Sequence, residues 1–85
     1  MLRVYEQIME ERARQDYKWG GEPGVDRFDQ STYAAVLGEE FGEACKEWLE
    51  RDIRRLREEL VQVAAVAVAW IEEIDNGGGE TRAAN

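Results

Sequence analysis

The sequence predicts an all-α fold: a small helical bundle with an antiparallel helix hairpin, completed by oligomerisation. Three observations carry this. From Thr32 to Asp75 there is no proline, and the last glycine is Gly42. Within that span Tyr33, Leu37, Phe41, Ala44 and Trp48 form one apolar stripe at about 100° per residue. Beyond it, Leu60 to Ile71 is apolar nearly all round, with Gln62 its only polar residue. A helix of that kind is buried on most sides, and 85 residues can hardly bury it alone.

The elements follow in order. Residues 2–17 read as a helix, with Val4, Ile8 and Met9 at helical spacing and charged Glu10, Glu11, Arg12 and Arg14 after them. Residues 18–30 hold three glycines and the only proline, so they read as a loop. Ser31 or Thr32 can cap the next helix. The span 32–75 is one long helix or two. Asn76 and the glycines after it end the last helix. Residues 1–76 therefore form one domain, and residues 77–85 read as a disordered tail.

Composition narrows the function. A chain this short hides only about 60–65% of its unfolded surface. The single cysteine, Cys45, makes no intrachain disulfide, and with no histidine a structural zinc site is nearly excluded. Oligomerisation, as a homodimer or homotetramer, is the remaining source of stability. The net charge of -8 argues against nucleic acid as a partner, because phosphate backbones need a clustered basic surface. It suits hard cations bound through carboxylate oxygens. The start of the chain shows no signal-peptide apolar run, and the longest apolar stretch is too short to span a bilayer. No membrane partner and a cytoplasmic location are the expectations.

Two segments carry candidate chemistry, Gly38-Glu-Glu-Phe-Gly-Glu43 and Arg57-Glu-Glu-Leu-Val-Gln62. Residues at i and i+3 share a helix face, so Glu40 with Glu43, and Glu59 with Gln62, can converge on one ion. On one continuous helix Glu43 and Glu59 would stand about 24 Å apart, too far to share a metal. A break near Arg51 changes this. Positions 40 and 62 are equidistant from 51, as are 43 and 59, so a fold-back sets Glu40 beside Gln62 and Glu43 beside Glu59. Asp52 can cap the returning helix. Gln62 needs a partner, since a buried amide without one costs about 1–3 kcal/mol. The carboxylate cluster is one candidate and a backbone group in an ordinary core is another. The acids also fit a solvated or salt-bridged helix face.

With these residues in view, the chain resembles the MazG-like branch of the all-α NTP pyrophosphatase superfamily. That superfamily carries E-x-x-E, a spacer and E-x-x-D on two antiparallel helices that bind Mg²⁺. The first half is similar to Glu40-Phe-Gly-Glu43, the second to Glu59-Leu-Val-Gln62, and Glu11-Arg-Ala-Arg-Gln-Asp-Tyr-Lys-Trp-Gly20 looks like the start of small MazG-like proteins. The resemblance covers about residues 10–75. Gln62 replaces the Asp of the second half, and an amide oxygen ligates Mg²⁺ without adding negative charge.

The resemblance implies hydrolysis of a nucleoside triphosphate, or its deoxy form, to a monophosphate and pyrophosphate. Mg²⁺, or Mn²⁺ in its place, would be held by Glu40, Glu43, Glu59 and Gln62 and would orient the phosphates and activate a water. Glu39 or Glu58 would accept the proton. Lys18, Arg12 and Arg14 would face phosphate charge, and Trp19 would stack on a base. Trp is also a common core anchor and Lys a common solvated residue, so the bland assignments of Lys18 and Trp19 stay open. Two other functions remain: a non-catalytic helical oligomer acting as a regulatory binding module, which Gln62 favours, and a pyrophosphohydrolase of the phosphoribosyl-ATP type.

Overall fold

The computed structural model describes residues 2–18 and 29–77. They form three helices: α1 (Leu2–Lys18), α2 (Gln30–Leu49) and α3 (Ile53–Asp75). No strand occurs among the described residues, and none of their helices is long and apolar enough to cross a membrane. The expected helix at the start runs one residue further than its pattern indicated, through Lys18. Most of the expected loop, residues 19–28, and all of the expected tail except Gly77 lie outside the described residues.

The cap of α2 is Asp29, not Ser31 or Thr32. Its carboxylate Oδ1 accepts from the Thr32 backbone N and from the Thr32 hydroxyl, each at 2.8 Å. A carboxylate takes both donors of that first turn, whereas Ser31 and Thr32, one and two residues on, are already helical. These hydrogen bonds to the backbone and side chain of Thr32 also hold the Asp29 carboxyl below its usual value.

The long apolar span is two helices, separated by Glu50, Arg51 and Asp52. The connection closes with Asp52 N donating to Glu47 O and Arg51 N to Trp48 O, both at 3.0 Å. This paired pattern terminates a helix through a left-handed residue, and here that residue is Arg51, with φ of 62°. A side chain there costs roughly 1–2 kcal/mol. The Arg51 guanidinium lies 4.6 Å from the centroid of the Trp48 ring, a cation–π contact worth about 0.5–1 kcal/mol that offsets part of that cost. Asp52 then caps α3, accepting from Arg55 N at 3.1 Å.

α3 is the central element. It packs against both α1 and α2, while α1 and α2 scarcely touch. Its contacts with α2 pair early residues of one with late residues of the other. The Tyr33 and Trp70 rings stack at 6.1 Å, and Trp70 Nε1 donates to Gln30 Oε1. Nearer the connection, the Arg55 Nε lies 3.7 Å from Glu47 Oε2. The buried core is Tyr33, Ala44, Ala65, Val66 and Ala69. Alanines at 65 and 69 let the neighbouring helices approach closely.

The rest of the apolar surface stays open. Of the expected α2 stripe, Tyr33 and Ala44 are buried, but Phe41 is 58% exposed and Trp48 48%. On α3, Ile53, Leu60, Ile71 and Ile74 are exposed, and Leu56, Val63, Ala67 and Trp70 half-buried. Ile53, Leu56, Leu60, Val63, Ala67 and Ile74 recur at the three-, four- and seven-residue spacings of a helix–helix seam, and Trp70 at its edge is taken up by Tyr33 and Gln30 of α2. At about 100° per residue this seam lies away from Glu72 and Glu58.

Candidate active site

Because α1 and α2 both lean on α3 without closing on each other, a cleft of about 660 Å³ opens between the three helices. α1 supplies Gln7, Glu10, Glu11, Arg14, Gln15 and Lys18; α2 supplies Val36, Glu39 and Glu40; α3 supplies Arg57, Glu58, Val61 and Gln62. The α1 residues recur at three and four positions, so one face of that helix is turned to the cleft. The lining mixes five carboxylates, three cations and three amides over a small apolar floor.

Glu40 and Glu59 meet where α2 and α3 pack. The Glu40 carboxyl is pushed above its ordinary value, first by burial and then by its hydrogen bond to the like-charged Glu59, with Glu39 adding repulsion and Lys18 pulling the other way. Two facing carboxylates share a hydrogen bond only when one is protonated. Glu59 keeps a further deficit: its Oε1 is buried with no hydrogen-bond partner among the described residues.

Glu40 interacts with Glu59, and Glu43 is exposed and absent from the cleft lining. Gln62 lines the cleft, as does Glu40. Among the described residues, no three Asp, Glu or Cys side chains are gathered closely enough to hold a metal ion. The pair fits a cation all the same. An orphaned buried carboxylate oxygen and a carboxyl driven toward protonation are both relieved by positive charge, and Mg²⁺ needs only one or two carboxylates when waters and phosphates complete its shell.

Of the expected proton acceptors, Glu39 and Glu58 are exposed on opposite walls of the cleft. Lys18 and Arg14 line it as well. Arg14 is already engaged, with its guanidinium on Glu11 Oε1. Trp19 lies outside the described residues.

Arg12 is a correction. It is buried and absent from the cleft lining. Its Nη2 lies 2.8 Å from Glu72 Oε1 and its Nη1 2.9 Å from Asp16 Oδ1. Burial works against its charge, but the hydrogen bonds to Glu72 and Asp16 outweigh it and hold Arg12 above its ordinary value. Its role is to tie α1 to α3, sixty residues away, and local spacing could not reveal that partner.

Sequence reasoning missed Gln7, Gln15 and Arg57. The signal for the first two was present: Gln7, Glu11, Gln15 and Lys18 stand at i, i+4, i+8 and i+11, one polar face of α1. Compared with protein-family models, curated proteins and solved structures, the chain shows no significant match.

Proposed function

We propose that this chain is a MazG-like, Mg²⁺-dependent nucleoside triphosphate pyrophosphohydrolase. The observation that carries the reading is the Glu40–Glu59 pair, with its unpartnered oxygen, at the wall of a cleft that also presents cations. Glu40 and Glu59 would hold the metal, with the Gln62 amide oxygen beside Glu40 and Glu43 joining from one turn further along α2. When bound, Mg²⁺ supplies charge neutralisation for the phosphates and lowers the pKa of a ligated water.

The protein's own part is positioning and proton transfer. Hydrolysis adds one water across the α–β anhydride. Hydroxide goes to one phosphorus, the bridging oxygen leaves with the other, and the proton passes to a carboxylate. Glu39 and Glu58, both open to solvent on the cleft walls, are the acceptors. Lys18 and Arg57 face the triphosphate charge, with Arg14 available if it exchanges Glu11 for phosphate.

The fold belongs to the same reading. α2 and α3 form an antiparallel hairpin, and the open seam on α3 with the exposed Phe41 and Trp48 of α2 packs against a second copy. Exposed apolar patches of that extent are rare on monomers.

A second reading, a non-catalytic binding module on the same fold, is favoured by Gln62 in an acid's place and by Glu43 outside the cleft lining. A panel of ribo- and deoxyribonucleoside triphosphates, with phosphoribosyl-ATP included, separates the readings. Products are resolved with Mg²⁺ and with chelator. Monophosphate and pyrophosphate appearing only with metal support hydrolysis, whereas no turnover of any substrate leaves the binding module.

A further inference from the structure

α3 carries its charges the wrong way round for a helix on its own. Beyond the cap Asp52, its first turn holds Arg54 and Arg55 and no acid, and its last turn holds Glu72, Glu73 and Asp75 and no base. The helix macrodipole favours the reverse, each charge near an end shifting stability by about 0.3–1 kcal/mol. Two of these charges are answered within the fold: Arg55 lies 3.7 Å from Glu47 and Glu72 2.8 Å from Arg12. Arg54, Arg57 and Asp75 are exposed and form no ion pair among the described residues.

Between the two ends runs the open seam from Ile53 to Ile74, about 32 Å long at the rise of an α-helix. Arg57 and Asp75 stand on one flank of it, because the eighteen residues from one to the other are about five full turns. A partner for this face must offer an apolar stripe of that length, with an acid beside Arg57 and a base beside Asp75. α3 offers this itself when turned end for end. We infer that a second copy of this chain docks on the seam with its α3 antiparallel, about a two-fold axis near Ala64, the middle of the helix. This rests on the reading that the seam packs against a second copy, and it names the polarity and the ion pairs of that contact. The two-fold sets the same flank of each copy against the other. Arg57 then lies about 6 Å along the axis from the partner's Asp75, within the span of the two side chains, and the pair occurs twice. Ala64 and Ala67, half-buried at the middle of the seam, let the two helices approach closely. A parallel partner would set arginine against arginine and bring like ends of the two macrodipoles together.

The test uses the full chain at low salt, where exposed ion pairs are least screened. Sedimentation equilibrium should show Arg57→Asp and Asp75→Arg each weakening self-association by about tenfold, because both symmetric pairs become like-charged. The double variant, in which each pair attracts again with its signs exchanged, should return to within about threefold of the parent. Circular dichroism of each variant checks that the helices remain. A second measurement leaves both charges in place. With Cys45→Ser and a nitroxide attached at Asn76→Cys, pulsed electron spin resonance should find an inter-label distance of about 35–40 Å, since the two labelled ends lie on opposite sides of the axis; a parallel pair would hold them within about 20 Å. An associated protein whose label distances do not include the longer one overturns the inference, as does a folded double variant that associates no better than the single ones, and either result leaves self-association itself standing. A parent protein that stays a folded monomer at micromolar concentration removes this inference and the oligomer together.

Discussion

Glu40 and Glu59 lie carboxyl to carboxyl across the α2–α3 contact, and burial together with that hydrogen bond raises Glu40 above its ordinary value of 4.5. The folded chain therefore binds this proton more tightly than the unfolded chain. Ionising Glu40 destabilises the fold, so its contribution to stability falls as pH rises from 4.5 through the folded value and is level above it. With chelator present, Glu40→Gln should melt above the parent at neutral pH, and the gap should close at acidic pH once Glu40 is protonated in both states. Melting curves across pH for the two proteins check this. A Glu40→Gln variant less stable than the parent at neutral pH would contradict it.

Arg12 should matter to folding and not to ligand. Arg12→Met should lower stability by about 1–3 kcal/mol, the range for charge-assisted hydrogen bonds in a partly buried setting. Nucleotide affinity per folded molecule should stay level, while Lys18→Ala, in the cleft, should weaken it with little effect on the melt. A double-mutant cycle of Arg12→Met with Glu72→Gln should return a coupling energy of at least about 0.5 kcal/mol.

Arg51 gives an ordering. Arg51→Ala loses the contact with Trp48 but keeps the left-handed backbone, so it should be less stable than the parent by about 0.5–1 kcal/mol. Arg51→Gly loses the contact and relieves the backbone, so it should be more stable than Arg51→Ala by roughly 1 kcal/mol. Urea titrations of the three proteins give the order directly. An Arg51→Ala variant above Arg51→Gly would show that the left-handed conformation is not held in solution.

The open seam makes association measurable. Light scattering at micromolar concentration should find a dimer or tetramer, and Leu60→Glu, at the centre of the α3 seam, should shift it toward smaller species or unfold it. A parent protein that stays a folded monomer would remove the oligomer from the account.

Much of the scaffold is legible in the sequence because its signals are local. Proline-free apolar periodicity marks α2 and α3, Asp52 is a cap residue in the right place, and Asn76 followed by Gly77 closes α3 with a positive φ of 95°. What escaped was set by three-dimensional register. Mirror symmetry about position 51 ignores helical phase, and it did not anticipate the contact of Glu40 with Glu59. Asp29 was passed over because Ser31 and Thr32 offer cap side chains in the same few residues. Arg12 looked available because Glu72 is distant in the chain. The amide wall of α1 was readable from its spacing, but amides signal a ligand only once burial without a partner is seen.

The most direct test of the central claim is pyrophosphate release by the parent and by Glu59→Gln, measured together across a Mg²⁺ titration with a nucleoside triphosphate. The account predicts release that requires Mg²⁺ in the parent and falls by about a hundredfold in Glu59→Gln, whose metal-free melt stays level or rises because a like-charge contact with Glu40 is gone. Parent protein in which Mg²⁺ changes neither rate nor melt, with Glu59→Gln indistinguishable from it, would contradict the account and leave these carboxylates as a packed acidic pair without a metal.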